Sequence, residues 1–385
     1  MEIHDLSFSK RFVVPCIIYG LQSMSLWTVL TYITIYWIDI GFSHFQVGVL
    51  ISIFPFMSLI LMIPIGVFVD RISPKKLVVV SQVIFGLGIA GLMMSQEFWP
   101  TLLWVAVAGT GYALFNNALP SLYYKTLGYK FRGLKLGYFN AALLVGYGLG
   151  PLLGGYILSA FTMNAVFIFS LSALAPLFIL CIFLADVPGT RVQISDYKAD
   201  LSNKSVLIFI MLVFAFSLHA GAEQSSLSLF LNKDVGLNDE SVGWLFFIHA
   251  NVMALLSILN GFLGDRLSSG GKGLAKLYYI GIAISGVTNI LLGFAGTFGT
   301  VLGTRLFHAV GDSVVMVTRS LIISNLFVAT RMGGNLGVIT ATVTLATLVG
   351  SIISGSFPGY VTGFVIAGAM ALLSIPIAVI AKPKF

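Results

Sequence analysis

Two acidic residues lie deep inside apolar segments of this sequence, Glu223 and Asp312, whereas the other Asp and Glu residues lie in polar breaks or near segment ends. A carboxylate inside a membrane is costly, and by default it marks an ion or substrate path. Where solvation is weak, a carboxylate can hold a proton and release it when an arginine or a ligand approaches. The two positions therefore predict proton exchange that is linked to the binding of another solute.

Further ionisable residues share helical faces with these carboxylates. With about 100° of rotation per residue, the charged residues of the later segment fall within about 60° of one another. The two groups are His219 with Glu223 on the earlier segment, and Arg305, His308 and Arg319 with Asp312 on the later one. We predict that the two carboxylates and two histidines exchange protons, and that the arginines face the substrate. The alternative is structural, with a buried Arg–Asp pair joining helices and the arginine heads extended toward opposite membrane faces.

The first half of the chain has no carboxylate inside an apolar segment, but it carries uncharged polar residues at helical spacing. The predicted substrate-binding residues there are Gln22, Ser25, Tyr32, Tyr112 and Asn116. An alternative for the tyrosines is a belt at the membrane interface, which does not account for Gln22 or Asn116. The two halves are therefore predicted to contribute unequally, with the coupling charges in the second half.

The overall composition indicates what positions these residues. Of 385 residues, 58% are hydrophobic and only 9% are charged, which excludes a soluble domain surrounded by water. Twelve apolar runs are each long enough to cross a hydrocarbon layer of about 30 Å. They lie at about 12–37, 44–66, 76–95, 99–123, 136–158, 163–185, 206–231, 241–263, 274–295, 299–322, 334–355 and 360–380. We therefore predict an all-α integral membrane protein of twelve transmembrane helices, numbered here as spans 1 to 12.

The net charge of +7 fits membrane orientation better than nucleic-acid binding. All Lys and Arg except Lys233, Arg305 and Arg319 fall near the two ends of the chain or in alternate loops, as the positive-inside rule requires. This distribution predicts a multi-pass protein of the cell membrane with both termini cytoplasmic. We expect a monomer in contact with membrane lipid, with no nucleic-acid partner.

A sequence repeat divides the chain into related halves. The stretch from Asp39 to Leu50 matches the stretch from Asp234 to Leu245, and Gly66 to Arg71 matches Gly261 to Arg266 at the same offset. Parallel repeats of this kind in transporters enclose a site near the bilayer midplane. The predicted domains are an N-terminal six-helix bundle at 1–185, a cytoplasmic linker at 186–205 and a C-terminal six-helix bundle at 206–385.

These motifs resemble the major facilitator superfamily over essentially the whole chain. The loop after span 2 reads Gly66-Val-Phe-Val-Asp70-Arg71-Ile-Ser-Pro-Lys75, similar to the family signature G-x-x-x-D-R-x-G-R/K, with Ser73 and Pro74 where a glycine is usual. The resemblance implies the fold of that family, two pseudo-symmetric six-helix bundles. It also implies a cytoplasmic gate made of Gly66, Asp70, Arg71, Lys75, Asp265 and Arg266.

Span 5 carries a second string of this kind. Its residues Gly137, Gly146, Gly150, Pro151, Gly154 and Gly155 follow the pattern G-(x8)-G-(x3)-G-P-(x2)-G-G, which resembles the twelve-helix drug/proton antiporter branch. The alternative is a kinked, closely packed helix of any member of the superfamily. The arginine that proton antiporters often carry in helix 4 is absent before Gly109, and Arg305 is its counterpart in the second half.

The leading prediction is a secondary active transporter that works by alternating access and exports a small organic or amphiphilic solute in exchange for protons. Alternatives are proton-coupled uptake of a small organic anion, translocation of a lipid or lysolipid, and a receptor that does not transport. We expect no enzyme activity and no cofactor, since phosphate-loop and zincin motifs are absent from the sequence. No metal site is expected, because His219 and Glu223 have no second histidine at ligand spacing.

Overall fold

The structure is a computed structural model that describes residues 9–128, 130–268 and 273–384, and in this part of the chain every regular element is helical. Among the described residues, twelve helices are long and apolar enough to cross a membrane, which confirms the predicted number. In chain order they are Lys10–Asp39, His44–Arg71, Pro74–Met94, Phe98–Thr126, Arg132–Ala160, Met163–Ile182, Lys204–Lys233, Glu240–Leu267, Gly273–Leu292, Phe298–Leu326, Ala329–Gly355 and Val361–Ala381. Most are longer than the apolar runs, because a helix continues beyond the hydrocarbon layer that hydropathy detects.

Three of these spans are not single continuous α-helices. Span 1 comprises a π-helical turn and two α-helices, and span 6 comprises two α-helices that meet at Ala173. Span 11 begins with a 3-10 turn, and a short helix lies between spans 6 and 7. The bounds are Ser9–Val13, Val14–Leu30 and Ile33–Asp39 in span 1, Met163–Ser172 and Leu174–Ile182 in span 6, Ala329–Arg331 and Met332–Gly355 in span 11, and Ile194–Leu201 between spans 6 and 7.

Local sequence explains where several spans begin. Ser43 precedes span 2 and forms a capping box with Gln46, and Thr297 forms the corresponding box with Thr300 before span 10. Span 3 starts with Pro74, whose missing N–H costs nothing at the first helical position. These signals satisfy backbone groups at helix ends, and they set the start of the two helices that carry Asp70 and Asp312.

The contacts divide the chain into two compact units. Unit 1 contains Met1–Gly128, Ala142–Gln193 and Val328–Ala341, and unit 2 contains Tyr129–Ala141, Ile194–Phe327 and Thr342–Phe385. Within unit 1, span 4 packs against spans 2 and 3, and span 1 packs against span 6. Within unit 2, span 10 packs against spans 8 and 9, and span 12 packs against spans 7 and 9. The domain division at 1–185, 186–205 and 206–385 follows the sequence repeat and stays a prediction.

The glycine string of span 5 forms a close contact with span 1 inside unit 1. A Cβ at Gly150 would lie 2.8 Å from Met24 O and 2.8 Å from Trp27 Cβ, and one at Gly154 would lie 2.8 Å from Thr28 O. The Tyr32 hydroxyl donates to Pro151 O at 2.7 Å. Gly137, at the other end of the string, faces span 8 in unit 2. The glycines therefore allow two helix backbones to approach closely, as the structural alternative for this string requires.

Gly150→Val should lower the stability of the protein. The added side chain has to displace backbone of span 1, an overpacking cost of about 1–3 kcal/mol. The measurement is the unfolding temperature of the purified protein in detergent, compared with Leu152→Val. Leu152 is 37% exposed on the same helix, so its shortening should have little effect. Equal unfolding temperatures for the two variants would contradict the close packing.

Candidate functional site

Six ionisable side chains form a compact cluster inside unit 2. We call them the polar cluster: His219 and Glu223 from span 7, His249 from span 8, and Arg305, His308 and Asp312 from span 10. The helical repeat explains the arrangement, because residues four apart lie one above the other on one helix face. The predicted proton-exchange residues are therefore brought together by the fold.

Glu223 is held by two cationic or protonatable groups from span 10. Its Oε1 accepts from Arg305 Nη1 at 2.7 Å and lies 3.0 Å from His308 Nε2. Arg305 is 5% exposed, so bulk water cannot solvate its charge in place of the Glu223 carboxylate. The pairing of Arg305 with Glu223 could not be predicted from the sequence, because the two residues lie on different helices.

Asp312 faces two of the three histidines of the cluster, His219 and His308. Its Oδ2 lies 3.3 Å from His308 Nε2 and 3.5 Å from His219 Nε2, and its Oδ1 accepts from the Ser285 hydroxyl at 2.6 Å. The Asp312 and Glu223 side chains are 15% and 14% exposed, whereas the His308 side chain is 1% exposed. The carboxylates therefore form the accessible edge of the cluster, and the histidines lie behind them.

The second ring nitrogens of the histidines are occupied by acceptors. His219 Nδ1 contacts Phe216 O, a carbonyl that can only accept, so this nitrogen carries the hydrogen. His308 Nδ1 lies 3.0 Å from Thr288 Oγ1, whose own hydrogen is directed at Ile284 O at 2.7 Å. Both rings therefore present Nε2 to the carboxylates. This tautomer is assigned from the hydrogen-bond network.

Three residues that take part in the site were not among the predicted site residues. Ser285 and Thr288 of span 9 bind Asp312 and His308, and their three-residue spacing on an apolar helix was a usable signal. His249 of span 8 is the third participant. The structure shows its Nδ1 at 3.0 Å from Arg305 O and its ring stacked on His308 with centroids 5.9 Å apart.

The expectation of no metal site was based on spacing along one helix and stays a prediction, but the fold adds a third candidate ligand from another helix. His219 and Glu223 do have a second histidine at ligand distance, since span 10 supplies His308. One ligand atom from each of the three residues lies within 4.8 Å of the other two. Spacing along one helix cannot reveal a ligand that arrives from another helix.

Arg319 does not join the polar cluster. It is half-buried on span 10, two turns beyond Asp312, and the described residues show no ion pair between the two. The alternative of a buried Arg319–Asp312 clamp is therefore not what this structure contains. Histidines and Ser285 partner that carboxylate instead.

The predicted substrate-binding residues of the first half all lie in unit 1 and differ in their surroundings. Ser25 is buried and its hydroxyl lies 2.8 Å from Ser170 Oγ of span 6, while Asn116 accepts from the Tyr19 hydroxyl at 3.2 Å. Tyr112 packs its ring 5.3 Å from that of Phe54. Their assignment to substrate stays a prediction.

Gln22 differs from these residues in having a fully buried side chain. Neither of its amide atoms has a hydrogen-bond partner among the described residues. A buried amide without partners is unusual in proteins, where such groups are nearly always hydrogen-bonded.

A second site lies where span 2 meets the start of span 11, inside unit 1. Asp70 accepts from the backbone N–H groups of Gly333 and Gly334 at 2.8 Å each, and Lys125 Nζ lies 2.8 Å from its Oδ1. The carboxylate thus caps the N-terminus of the helix Met332–Gly355. Gly66 permits the approach, because a Cβ there would meet the backbone of Gly333.

The repeated motif makes the equivalent contact inside unit 2. Asp265 accepts from Gly133 N at 2.6 Å and Leu134 N at 2.9 Å, at the start of span 5, and a Cβ at Gly261 would meet Gly133. Arg266 stacks on Phe262 at 4.3 Å. The sequence repeat is therefore matched by a repeated helix-capping contact.

The basic residues of the first motif bind the segment after span 6. Arg71 donates to Val192 O at 3.2 Å, and Lys75 donates to Ile182 O and Leu184 O at 2.9 Å each. The sequence did not reveal that Lys125, rather than Arg71 or Lys75, pairs with Asp70.

Comparisons with known proteins agree with this architecture. A family model described as Major Facilitator Superfamily matches residues 16–224 and 207–384. An uncharacterised transporter of this type from Methanocaldococcus jannaschii is 26% identical over 341 residues, covering 83% of this chain and 84% of its own. The riboflavin transporter RibZ of Clostridioides difficile is 27% identical over 150 residues, covering 39% of this chain and 32% of its own. Multidrug resistance protein 2 of Bacillus subtilis is 25% identical over 269 residues, covering 64% of each chain.

Solved structures share the fold at low sequence identity. The human organic anion transporter MFSD10 superposes with a TM-score of 0.82 at 15% identity, covering 96% of this chain and 98% of its own. The fucose:proton symporter FucP of E. coli superposes with a TM-score of 0.72 at 16% identity, with the same coverage. The predicted fold class is confirmed. The chain belongs to the major facilitator superfamily, and it is a multi-pass membrane transporter rather than an enzyme.

Proposed function

We propose that this protein is a secondary active transporter that works by alternating access and exchanges protons for a small organic or amphiphilic solute. The observation that carries the proposal is the polar cluster, in which two histidine nitrogens face two carboxylates inside a membrane-spanning bundle. Such groups are costly in a membrane, and they occur where ions or protons move. Proton coupling, direction and substrate are the parts of the proposal that go beyond the family.

The hydrogen-bond pattern supports protons as the coupling ion. His219 and His308 keep hydrogen on Nδ1, so their Nε2 atoms face carboxylate oxygens as acceptors unless each carries a proton. Two carboxylates and Arg305 leave a charge of −1, which one protonated histidine neutralises. Uptake or release of one proton therefore changes the cluster between neutral and charged states, and a charged state in weakly solvated surroundings favours rearrangement.

Arg305 supplies the link to the solute. Its guanidinium is engaged by Glu223 at 2.7 Å, and protonation of Glu223 would weaken that pair and free hydrogen-bond donors. A solute that engages Arg305 would in turn release Glu223 from it. For a solute that binds Arg305 alone, these two steps favour each other, and proton and solute would move together. Antiport requires a solute that binds the Glu223 or Asp312 carboxylate, because a proton on that carboxylate then competes with the solute.

The names of two relatives support an organic solute: one is called a riboflavin transporter and the other a multidrug resistance protein. The glycine string of span 5, which resembles the antiporter branch, supports export in exchange for protons. We place the protein in the cell membrane, with both termini cytoplasmic because of its charge distribution, and we propose that it works as a monomer.

Proton-coupled uptake of an organic anion is the second candidate. It is favoured by Arg305, whose bidentate guanidinium suits carboxylates and similar groups. The solved structure of MFSD10 is that of an organic anion transporter. In this alternative, solute and proton would bind together and not in exchange.

The two candidates predict opposite proton movements. The full chain is reconstituted into vesicles with an acidic lumen and a lumenal pH dye, and riboflavin, ethidium or a benzoate-type anion is added outside. For antiport we expect entry of solute to expel protons, so that the lumenal pH rises. A fall in lumenal pH would establish symport and overturn the antiport proposal. The same vesicles with Arg305→Gln are expected to show no solute-dependent change.

A further inference from the structure

The geometry points to a binding site for a divalent transition-metal ion in the polar cluster, with His219, His308, Glu223 and Asp312 as ligands. This inference rests on the same residues as the proposed function, but it concerns a different ligand. It needs no proton movement and no solute. The metal ligands would be two imidazole nitrogens and two carboxylate oxygens.

Three distances between the candidate ligand atoms are close to those around a tetrahedral metal. Bonds of about 2.0–2.2 Å to nitrogen and oxygen place neighbouring ligand atoms about 3.3 Å apart around a tetrahedral ion. In the polar cluster, His308 Nε2 lies 3.0 Å from Glu223 Oε1 and 3.3 Å from Asp312 Oδ2, and His219 Nε2 lies 3.5 Å from the same Asp312 oxygen. Each ligand atom therefore has at least one neighbour at about this separation, and one ligand atom each of His219, Glu223 and His308 lies within 4.8 Å of the other two.

The histidine rings are oriented as metal ligands usually are. A ligating histidine donates its other N–H to a carbonyl or similar acceptor, which fixes the tautomer and directs the lone pair at the metal. Phe216 O accepts from His219 Nδ1, and Thr288 Oγ1 accepts from His308 Nδ1.

His308 Nε2 supplies a second, independent observation. It is buried and makes no hydrogen bond of acceptable geometry among the described residues, despite the short distances to both carboxylates. Close acceptors without a directed hydrogen bond are what a cation between them would satisfy.

Ligand chemistry selects the class of metal. Imidazole nitrogen with carboxylate oxygen suits Zn²⁺ and similar first-row ions, whereas Ca²⁺ and Mg²⁺ take oxygen ligands. Arg305 next to Glu223 opposes a cation, but two carboxylates outweigh one guanidinium. With neutral histidines, Glu223, Asp312 and Arg305 together carry a charge of −1. A divalent ion adds two positive charges to them.

The test measures Zn²⁺ binding to the purified full chain by equilibrium dialysis at neutral pH. We expect saturable binding of one ion per chain, and Co²⁺ in its place should give the intense visible absorption of a four-coordinate site. His219→Ala and His308→Ala should each weaken Zn²⁺ binding more than about tenfold. His44→Ala is the control, because His44 is an exposed histidine at the start of span 2.

Two results would overturn the inference: no saturable Zn²⁺ binding to the unaltered protein, or binding that His219→Ala and His308→Ala leave unchanged. If either variant does not fold, Glu223→Gln and Asp312→Asn, which keep side-chain shape, take its place with the same expected direction. The inference and the proposed function fail separately. If proton exchange is intact but no metal binds, only the metal site is overturned. If metal binds but solute causes no pH change, only the transport proposal is overturned.

Discussion

Asp312→Asn and Glu223→Gln are each expected to abolish transport driven by a pH gradient, with rates falling by about two orders of magnitude or more. Each change keeps the shape of the side chain and removes the site that holds or attracts a proton. Asp312 faces His308 and His219 at 3.3 and 3.5 Å, so its loss leaves these two histidines without their shared acceptor charge. The measurement is solute accumulation in vesicles with an imposed pH gradient.

The design of this experiment separates coupling from folding and from solute binding. Exchange of labelled for unlabelled solute at equal pH on both sides requires alternating access but no net proton movement, so Asp312→Asn should retain it. Asp39→Asn is the matched control, since this carboxylate is exposed at the end of span 1. Gradient-driven accumulation that is unchanged in both Asp312→Asn and Glu223→Gln would show that protons are exchanged elsewhere.

Glu223→Gln should also have a structural effect that Asp312→Asn does not have. Its carboxylate is the ion-pair partner of the buried Arg305, and a glutamine leaves that guanidinium with a neutral acceptor. Because the glutamate is partly exposed, water can compensate a share of the loss. We therefore expect a lower unfolding temperature for Glu223→Gln than for Asp312→Asn, in addition to the loss of coupling.

The helical period was sufficient to predict which residues of each span belong together. Arg305, His308 and Asp312 share one face because the repeat of 3.6 residues is fixed by backbone hydrogen bonds. The number of spans could be predicted because the lipid core demands long apolar runs. Both predictions depend only on local geometry and composition.

Contacts between helices required the structure. Nothing in the order of residues indicates that the partner of Glu223 is Arg305, or that Lys125 pairs with Asp70, because each depends on how two helices are packed. The same limit hid the convergence of His219 and His308. Ser25 was predicted from its helical face, but a face does not show whether the facing neighbour is a solute or, as here, Ser170 of span 6.

Asp70→Asn is expected to destabilise the protein by about 3 kcal/mol, the second large effect. Asp70 and Lys125 are 0% and 4% exposed, so the change leaves a buried ammonium without its charged partner. An asparagine also has one oxygen for two backbone donors, Gly333 N and Gly334 N, and its NH₂ group opposes the other. The check is the unfolding temperature of the purified protein, with the exposed Asp39→Asn as control.

A double-mutant cycle tests the reason for this loss. If the unpaired ammonium is the main cost, Lys125→Met should partly restore stability in the Asp70→Asn background, because removing both partners is less costly than removing one. The remaining deficit would then measure the capping of span 11 by the carboxylate, about 1 kcal/mol. If Lys125→Met and Asp70→Asn simply add, the ion pair contributes nothing, and the contact at the start of span 11 depends on the backbone donors alone.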